Sequence, residues 1–414
     1  MKKASFLIIV SVFCLVALQA SAAIQWDPAK FMPLSEIKPG MKGEAYTVFS
    51  GTTVEKFEFE VISIEYNFAP QWHVIWVKGS GENFEKTGGA GGMSGTPGYI
   101  NGRLMGALSL AYFNQREHAN IVGFTPIELM IEVTQRGMLP NLSYRGGNLF
   151  QFASDTAQGG LELLPLSVDK TSTKKKRTMD APFIPDADAN SALLQTPVTF
   201  SAMNPQALGF LKPLFDAHRL MPIQGVGGGS PVAGAPIEPG QIVGIEFARG
   251  DFGAFGYGTM TYIDGDQVIA FGHPMFQEGN VNLPISGGYV HFTLPSIARS
   301  FKVASPTKPI GTLVQDRQTG IAGLIGSYPS FIPVNAQIET IDGVDSLTLH
   351  VTNSPESNAQ SVARLSQTAS FPDSFAISVY PTNPSTDPAE HAYGLELDDG
   401  KRRLFRVDQD FSHD

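Results

Sequence analysis

Cysteine, charge and long apolar runs are all scarce in this chain of 414 residues. Its one cysteine, Cys14, lies in the apolar part of a predicted secretory signal, so we expect a mature chain without disulfides or thiolate ligands. The sequence has no His-Glu-x-x-His motif either, and neither a metal nor another cofactor is predicted. No later segment is long and apolar enough to span a bilayer, so we expect no stable membrane span after signal cleavage.

The chain is acidic overall and has few charged residues. Only 16% of the residues are charged and the formal net charge is -10, which argues against a nucleic-acid partner. Glycine and proline are both above ordinary usage, with 43 and 29 residues. This profile is typical of a β-rich protein with many short strands and tight turns.

The first residues have the three parts of a signal peptide. Lys2 and Lys3 supply the positive charge, residues 6–18 the apolar core, and residues 20–22 a small-residue cleavage site. A lipoprotein anchor would need a small residue before Cys14, where phenylalanine stands. We therefore expect an exported protein, periplasmic or secreted, with cleavage near Ala22.

Alternation of apolar and polar residues dominates the rest of the chain and predicts antiparallel strands. Asn101-Gly102 and Asp264-Gly265-Asp266 mark two tight hairpins. The run Thr125-Pro126-Ile127-Glu128 predicts a helix with Thr125 as its N-cap.

These patterns divide the chain into predicted segments. The division is a signal peptide (1–22), a first β-rich segment (23–165), a polar linker (166–195), a second β-rich segment (196–335) and a β-rich C-terminal region (336–414). The linker carries the basic run 174–177, which indicates a solvated surface or, alternatively, a processing site.

Ser94 has the most distinctive surroundings in the sequence. It lies in Gly92-Met93-Ser94-Gly95-Thr96-Pro97, where glycines permit a tight turn that directs amide N–H groups at a developing oxyanion. If Ser94 is a nucleophile, the donors would be the N–H groups of Gly92 and of Ser94 itself. The alternative is a glycine-rich β-turn with a capping serine.

A serine nucleophile needs a base, and His273 is the best candidate among eight histidines. It follows an apolar strand and stands between Gly272 and Pro274, which predicts a sharply presented imidazole. An ordinary core histidine is the alternative reading of an isolated Gly-His-Pro. His291 is ambiguous, and the other six fit surface or core positions.

Several segments of the chain resemble the SpoIVB-type serine peptidases, a family of chymotrypsin-like peptidases. Segments similar to the serine half of that family are 56–63, 85–89, 92–97, 99–108 and 123–126. Segments similar to the histidine half are 258–262 and 270–273, and the stretch from 309–311 to 320–323 resembles the segment that follows it. The resemblance covers about half of the mature chain. It implies a chymotrypsin-like double β-barrel with a few short helices and a Ser94-His273 catalytic pair.

The chain departs from the family pattern in order and in the catalytic acid. Its serine half precedes its histidine half, which is an apparent circular permutation. Such a permutation can preserve a catalytic site, because the catalytic residues need to be close in space and not in a fixed chain order. The family's acidic residue would fall near Ser80, where no carboxylate stands. Glu82 and Asp316 are the substitutes, although Arg317 favours a structural ion pair for Asp316. Met93 occupies the zymogen's acidic position, so activation by a new N-terminus is not expected.

Two functions follow from these residues. The first is an exported serine endopeptidase acting on polypeptides, with self-cleavage at the basic linker as one option. The second is a catalytically inactive β-barrel that binds an envelope protein or an extended peptide by strand addition. The missing acid favours the second function, and the retained serine and histidine motifs favour the first.

Overall fold

A computed structural model of the protein describes residues 23–112, 120–138, 191–201, 220–225, 236–250, 253–296, 299–329, 331–340, 343–352, 363–366, 376–381, 393–396 and 402–405. The predicted signal peptide and most of the predicted linker, including its basic run, lie outside these residues. None of the helices in the described ranges is long and apolar enough to cross a membrane.

The first sheet closes into a barrel of six antiparallel strands. Their spatial order is β4-β1-β2-β3-β6-β5, and pairing of β4 with β5 completes the ring. The strands are β1 (Lys42–Val48), β2 (Val54–Ala69), β3 (Trp72–Ser80), β4 (Pro97–Ile100), β5 (Arg103–Tyr112) and β6 (Ile121–Pro126). A further strand, β7 (Ser191–Leu193), pairs with the end of β5 and lies in the segment predicted as linker. We call this unit the serine barrel.

The second sheet contains another ring, which we call the histidine barrel. Its order is β10-β13-β14-β15-β12-β11, and β10 pairs with β11 to close it. The ring strands are β10 (Ile242–Gly250), β11 (Gly253–Asp264), β12 (Gln267–Ala270), β13 (Gly279–Leu294), β14 (Phe301–Arg317) and β15 (Gly320–Ile325). The predicted mainly β, double-barrel fold is confirmed.

Additional strands extend the second sheet on both sides. β8 (Thr196–Ser201) and β9 (Leu220–Gln224) continue from β11, while β17 (Gly343–Thr352) and β16 (Phe331–Thr340) continue from β10. A separate four-stranded sheet forms the β-rich C-terminal part. Its strands are β18 (Ala363–Ser366), β19 (Ala376–Pro381), β20 (Tyr393–Glu396) and β21 (Arg402–Phe405).

The described residues contain few helices. They are a 3₁₀ turn at Leu34–Glu36, α1 (Glu82–Thr87) and α2 (Ile127–Thr134). The prediction that Thr125 caps α2 is wrong, because Pro126 occupies the N-cap position and Thr125 belongs to β6. The Glu128 carboxylate instead accepts a hydrogen bond from the backbone N–H of Leu34 at 3.0 Å.

The two barrels interlock through backbone as well as apolar contacts. Gly91 of the serine barrel forms a parallel bridge with Phe301, and Gly51 forms an antiparallel bridge with Val290. One apolar cluster joins Val48 to residues of the histidine barrel, including Tyr257. The residues that follow Gly91 are therefore enclosed between the barrels, and residues 91–98 are all buried.

Gly95 packs directly against the histidine barrel, and it provides a test of this packing. Its φ is +99°, and a Cβ placed there would lie 1.8 Å from the carbonyl oxygen of Thr259. We expect Gly95→Ala to lower the free energy of unfolding by more than about 3 kcal/mol, since left-handed strain adds to a clash with backbone. Denaturant unfolding monitored by tryptophan fluorescence measures the loss.

Gly102 is the matched control for this substitution. Its φ is +76°, and a Cβ there would meet nothing within 4 Å. Gly102→Ala should therefore lose only the left-handed strain, about 1–2 kcal/mol. Equal losses in the two variants would show that the serine loop does not press against Thr259.

Candidate active site

The serine loop, residues 88–96, connects α1 to β4 inside the serine barrel. Its turn is built from local backbone bonds: Met93 N–H donates to the Ala90 carbonyl, and Thr96 N–H to the Met93 carbonyl, both at 2.9 Å. Gly95 N–H donates to Leu108 of β5 at 2.7 Å. The loop therefore presents Ser94 from a fixed backbone at the boundary between the barrels.

The histidine loop begins directly after β12. Phe271 and Gly272 have φ values of +70° and +69°, so the chain turns through two consecutive left-handed residues before His273. This conformation costs glycine little but strains a bulky residue such as phenylalanine. The Phe271 side chain is fully buried, and its packing holds the strained turn. The predicted sharp presentation of the imidazole rests on this turn.

Ser94 and His273 meet across the barrel boundary. The Ser94 Oγ lies 2.8 Å from Nε2 of the imidazole. The other ring nitrogen, Nδ1, lies 2.7 Å from the carbonyl oxygen of Pro274. A carbonyl oxygen only accepts hydrogen bonds, so in the neutral ring Nδ1 carries the proton and Nε2 accepts from the serine hydroxyl. This tautomer is the one that general-base activation of a serine requires.

Both side chains are closed off from solvent in this structure. Ser94 is 1% exposed and His273 is 2% exposed. A polypeptide can reach the hydroxyl only after the residues that cover it move. A small electrophile is therefore a better first probe of the site than a protein substrate.

Threonines of β11 in the histidine barrel hold the serine loop. Thr259 N–H donates to the Ser94 carbonyl at 2.6 Å, and its hydroxyl donates to the Gly92 carbonyl at 2.9 Å. The hydroxyl of Thr261 donates to the Gly95 carbonyl at 2.7 Å. Three donors from one strand thus fix the carbonyl groups of Gly92, Ser94 and Gly95 around the candidate nucleophile.

The serine barrel holds the histidine loop in the same way. The Thr125 hydroxyl of β6 donates to the Gly272 carbonyl at 2.6 Å. That hydroxyl oxygen also accepts a hydrogen bond from Trp72 Nε1–H at 3.0 Å, and it lies 2.8 Å from the Ser109 hydroxyl. Each barrel therefore fixes the loop that belongs to the other, and the Ser94–His273 distance depends on their docking.

Two backbone donors in the serine loop have no partner in the described part of the chain. From Gly91 to Thr96, every N–H is hydrogen-bonded to a described residue except those of Gly92 and Ser94. Buried amide groups are otherwise almost always paired, so these two donors need an explanation. They are the pair expected from the sequence to form an oxyanion hole.

Asp316 reaches the histidine loop, but not in the role considered for it. Its Oδ1 accepts from Met275 N–H and its Oδ2 from Phe276 N–H, both at 2.8 Å, and Oδ2 lies 3.5 Å from Glu278 N. The hydrogen bonds of this fully buried carboxylate thus go to backbone amides. Burial raises its pKa, while the amide donors oppose that shift.

Both sequence interpretations of Asp316 need correction on these contacts. The Asp316 carboxylate accepts hydrogen bonds from the backbone that follows His273. The acceptor at Nδ1 of the imidazole is instead the Pro274 carbonyl. Arg317 donates to Gln315 Oε1 at 2.9 Å and to Asn280 Oδ1 rather than to the Asp316 carboxylate, whose charge still opposes the lowering of the Arg317 pKa by burial.

The structure does not bring Glu82 to the site. This residue begins α1, its side chain is 84% exposed, and it pairs with Lys86 at 2.8 Å one helical turn later. The lysine lowers the pKa of Glu82. A solvent-exposed carboxylate cannot orient an imidazole that is itself buried, so Glu82 is excluded as the third catalytic residue.

A buried lysine lies beneath the serine loop. Lys302 of β14 is fully buried, its Nζ donates to Thr47 Oγ1 at 2.7 Å and lies 3.5 Å from Thr259 Oγ1. Desolvation lowers its pKa to about 7. Sequence reasoning missed this residue, although a single lysine within the apolar stretch 301–304 was a visible signal.

Sequence reasoning also missed the threonines, although their spacing in the strand was a visible signal. Thr259 and Thr261 stand two residues apart in an apolar strand, so both hydroxyls face the same side of the sheet. Pro274 gave no such signal, because the group that acts is its main-chain carbonyl. The ambiguous histidine, His291, lies away from this site, with Nε2 2.8 Å from the Ser305 hydroxyl.

The described residues contain no group of three or more His, Cys, Asp or Glu side chains that could hold a metal ion. Comparison of the chain with protein-family models, with curated proteins and with solved structures found no match. The resemblance to SpoIVB-type peptidases therefore stays a prediction from the segments quoted above. Inferences about function rest on the geometry of the site.

The depressed pKa of Lys302 predicts how stability depends on pH. Between the folded value of about 7 and the ordinary value of 10.5, the unfolded chain holds a proton that the folded chain does not. Stability therefore rises with pH in this window, by up to about 1.4 kcal/mol per pH unit. We expect Lys302→Met to be more stable than the wild type at pH 7 and to lack this slope.

Denaturant unfolding of both proteins at pH 7, 8, 9 and 10 measures the effect. Other titrating groups cancel in the difference between the two proteins. A constant difference across this range would mean that the buried amine does not titrate there.

Proposed function

We propose that this protein is a serine endopeptidase in which Ser94 is the nucleophile and His273 the general base. The observation that carries the proposal is the 2.8 Å contact between Ser94 Oγ and His273 Nε2, with Nδ1 held by a carbonyl acceptor. The N–H groups of Gly92 and Ser94, which have no partner in the described part of the chain, support it, because they supply two donors next to the reacting oxygen.

Acylation would proceed through a tetrahedral intermediate. Ser94 Oγ attacks the carbonyl carbon of a peptide bond while its proton passes to His273 Nε2. The carbonyl oxygen becomes an oxyanion and accepts from the Gly92 and Ser94 amides. The imidazolium then gives its proton to the departing amine, and the acyl group remains on Ser94.

Deacylation repeats these steps with water. His273 takes a proton from the water as its oxygen attacks the ester carbon, and then returns a proton to Ser94 Oγ as the acid product leaves. Every proton is exchanged between His273, serine, water and the leaving group. The chemistry therefore needs no additional co-reactant.

The acceptor at Nδ1 of His273 differs from that of a complete triad. The Pro274 carbonyl fixes the tautomer and the ring orientation, as a carboxylate does in a complete triad. It carries no full negative charge, however, and stabilises the imidazolium less. The near-complete burial of Ser94 and His273 suits a peptidase with few exported polypeptide substrates, including its own basic linker.

A binding protein is the second candidate, and the burial of both side chains favours it. An exported double barrel with a closed Ser94–His273 pair could bind an envelope protein or an extended peptide without hydrolysing it. In that case the hydrogen bond between the two side chains would only join the barrels. Chemical labelling of the serine separates the two functions.

Reaction with a fluorophosphonate probe tests the peptidase directly. We expect the wild type to be labelled at one site and Ser94→Ala to remain unlabelled. His273→Ala should fold and react at least about 100-fold more slowly, since a general base contributes about 10²–10⁴. Labelled sites are identified by mass spectrometry of the digested protein.

Ser80→Ala is the control, because Ser80 is exposed and lies on a strand of the same barrel. It should react like the wild type. Equal labelling of Ser94→Ala, or a wild type that never reacts, would refute the peptidase and leave the binding protein.

Two carboxyl variants test the corrected roles of Asp316 and Glu82. Asp316→Asn places an amide donor against the backbone N–H groups of the histidine loop, so we expect about 2–3 kcal/mol lower stability and slower labelling. Glu82→Gln should change neither the unfolding midpoint nor the labelling rate. Thermal unfolding and labelling time courses measure both. Slower labelling of Glu82→Gln than of Asp316→Asn would contradict these assignments.

A further inference from the structure

Lys302 contacts the candidate oxyanion hole in three ways. Its backbone N–H donates to the Gly91 carbonyl at 2.9 Å. Its Cβ and Cδ lie 3.3 Å from the point where a Cβ on Gly92 would stand, so its stem packs directly under that residue. Its Nζ lies 3.5 Å from the Thr259 hydroxyl, which in turn donates to the Gly92 carbonyl.

These contacts determine where the Gly92 N–H points. In a trans peptide the C=O of one residue and the N–H of the next point in opposite directions. A Gly91 carbonyl held by Lys302 therefore turns the Gly92 N–H away from β14. The Gly92 carbonyl is fixed by Thr259, so both peptide planes around Gly92 are set by the histidine barrel.

The lysine head group is not needed to fill this space. Desolvation is the one cause of its depressed pKa, so among the described residues no carboxylate stabilises the charge. Its acceptors are the hydroxyls of Thr47 and Thr259. An apolar side chain of similar volume avoids this desolvation cost. An amine in such a position suggests a role other than stability.

We propose that Lys302 is a positioning residue for the oxyanion hole and acts on Gly92 through the hydroxyl of Thr259. The inference rests on the proposed peptidase function and deepens it. The amine nitrogen supports the Thr259 hydroxyl, which holds the Gly92 carbonyl and with it the adjacent N–H donor. Lys302 touches neither the nucleophile nor the base in this role.

The kinetics of fluorophosphonate labelling test this role, because the phosphoryl oxygen of the probe uses the oxyanion hole. We expect Lys302→Met to lower the limiting rate of labelling about 10-fold and to change the half-saturating probe concentration less than 2-fold. Its unfolding midpoint at pH 7 should be no lower than that of the wild type. A lysine with a structural role only would not give a slower site in a protein of equal or greater stability.

Thr259→Val and the double variant test the path through the hydroxyl. If Lys302 acts through Thr259, the double variant should label no more slowly than Thr259→Val alone. Lys308→Met is the control, because Lys308 is exposed on the same strand, and it should behave like the wild type. Multiplication of the two single effects in the double variant would overturn the proposed path, and unchanged labelling of Lys302→Met would overturn the role.

The Gly92 amide gives a second measurement that does not depend on catalysis. In spectra of protein labelled with ¹⁵N-glycine, the Gly92 resonance should shift in Lys302→Met and stay in place in Lys308→Met. If the wild type never reacts with the probe and the Gly92 resonance still shifts in Lys302→Met, the peptidase is refuted, while the effect of the lysine side chain on the Gly92 backbone stands. An unmoved Gly92 resonance would overturn the positioning role, whether or not the wild type is labelled.

Discussion

Hydrogen bonds from threonines across the barrel boundary are the constraint on which the candidate site depends. Thr259 and Thr261 of the histidine barrel hold the carbonyls of the serine loop, and Thr125 of the serine barrel holds the carbonyl of Gly272. These donors are buried, so breaking any of them leaves unpaired polar groups in a dry interface. The distance between Ser94 and His273 therefore follows from the docking of the two barrels.

The site combines features of a working catalyst with features of a closed one. The imidazole tautomer, the two amides without a partner among the described residues and the strained turn at Phe271 all suit acyl transfer. The near-complete burial of both side chains suits an enzyme restricted to few substrates. These properties agree if the protein acts on few substrates and opens before it binds them.

Asp316 and Lys302 show how buried charge can serve a site without entering the chemistry. The carboxylate binds successive backbone amides after His273, and the amine lies beneath the loop that presents Ser94. Both groups are fully buried on β14, so one strand of the histidine barrel supports both loops. Backbone geometry, more than side-chain chemistry, connects them to the reacting atoms.

The sequence by itself determined the β-rich class, because alternation and glycine-rich turns are local properties. The double barrel was implied by the family resemblance, and Ser94 with the amides of Gly92 and Ser94 was a candidate chosen from its glycine-rich setting. The sequence also singled out His273 from its local setting after an apolar strand. Only the tertiary structure decided what stands behind the imidazole, excluded Glu82 and gave Asp316 its backbone partners. Those contacts join residues that are far apart in the chain or involve main-chain atoms, and neither kind of contact can be inferred from the types of the residues.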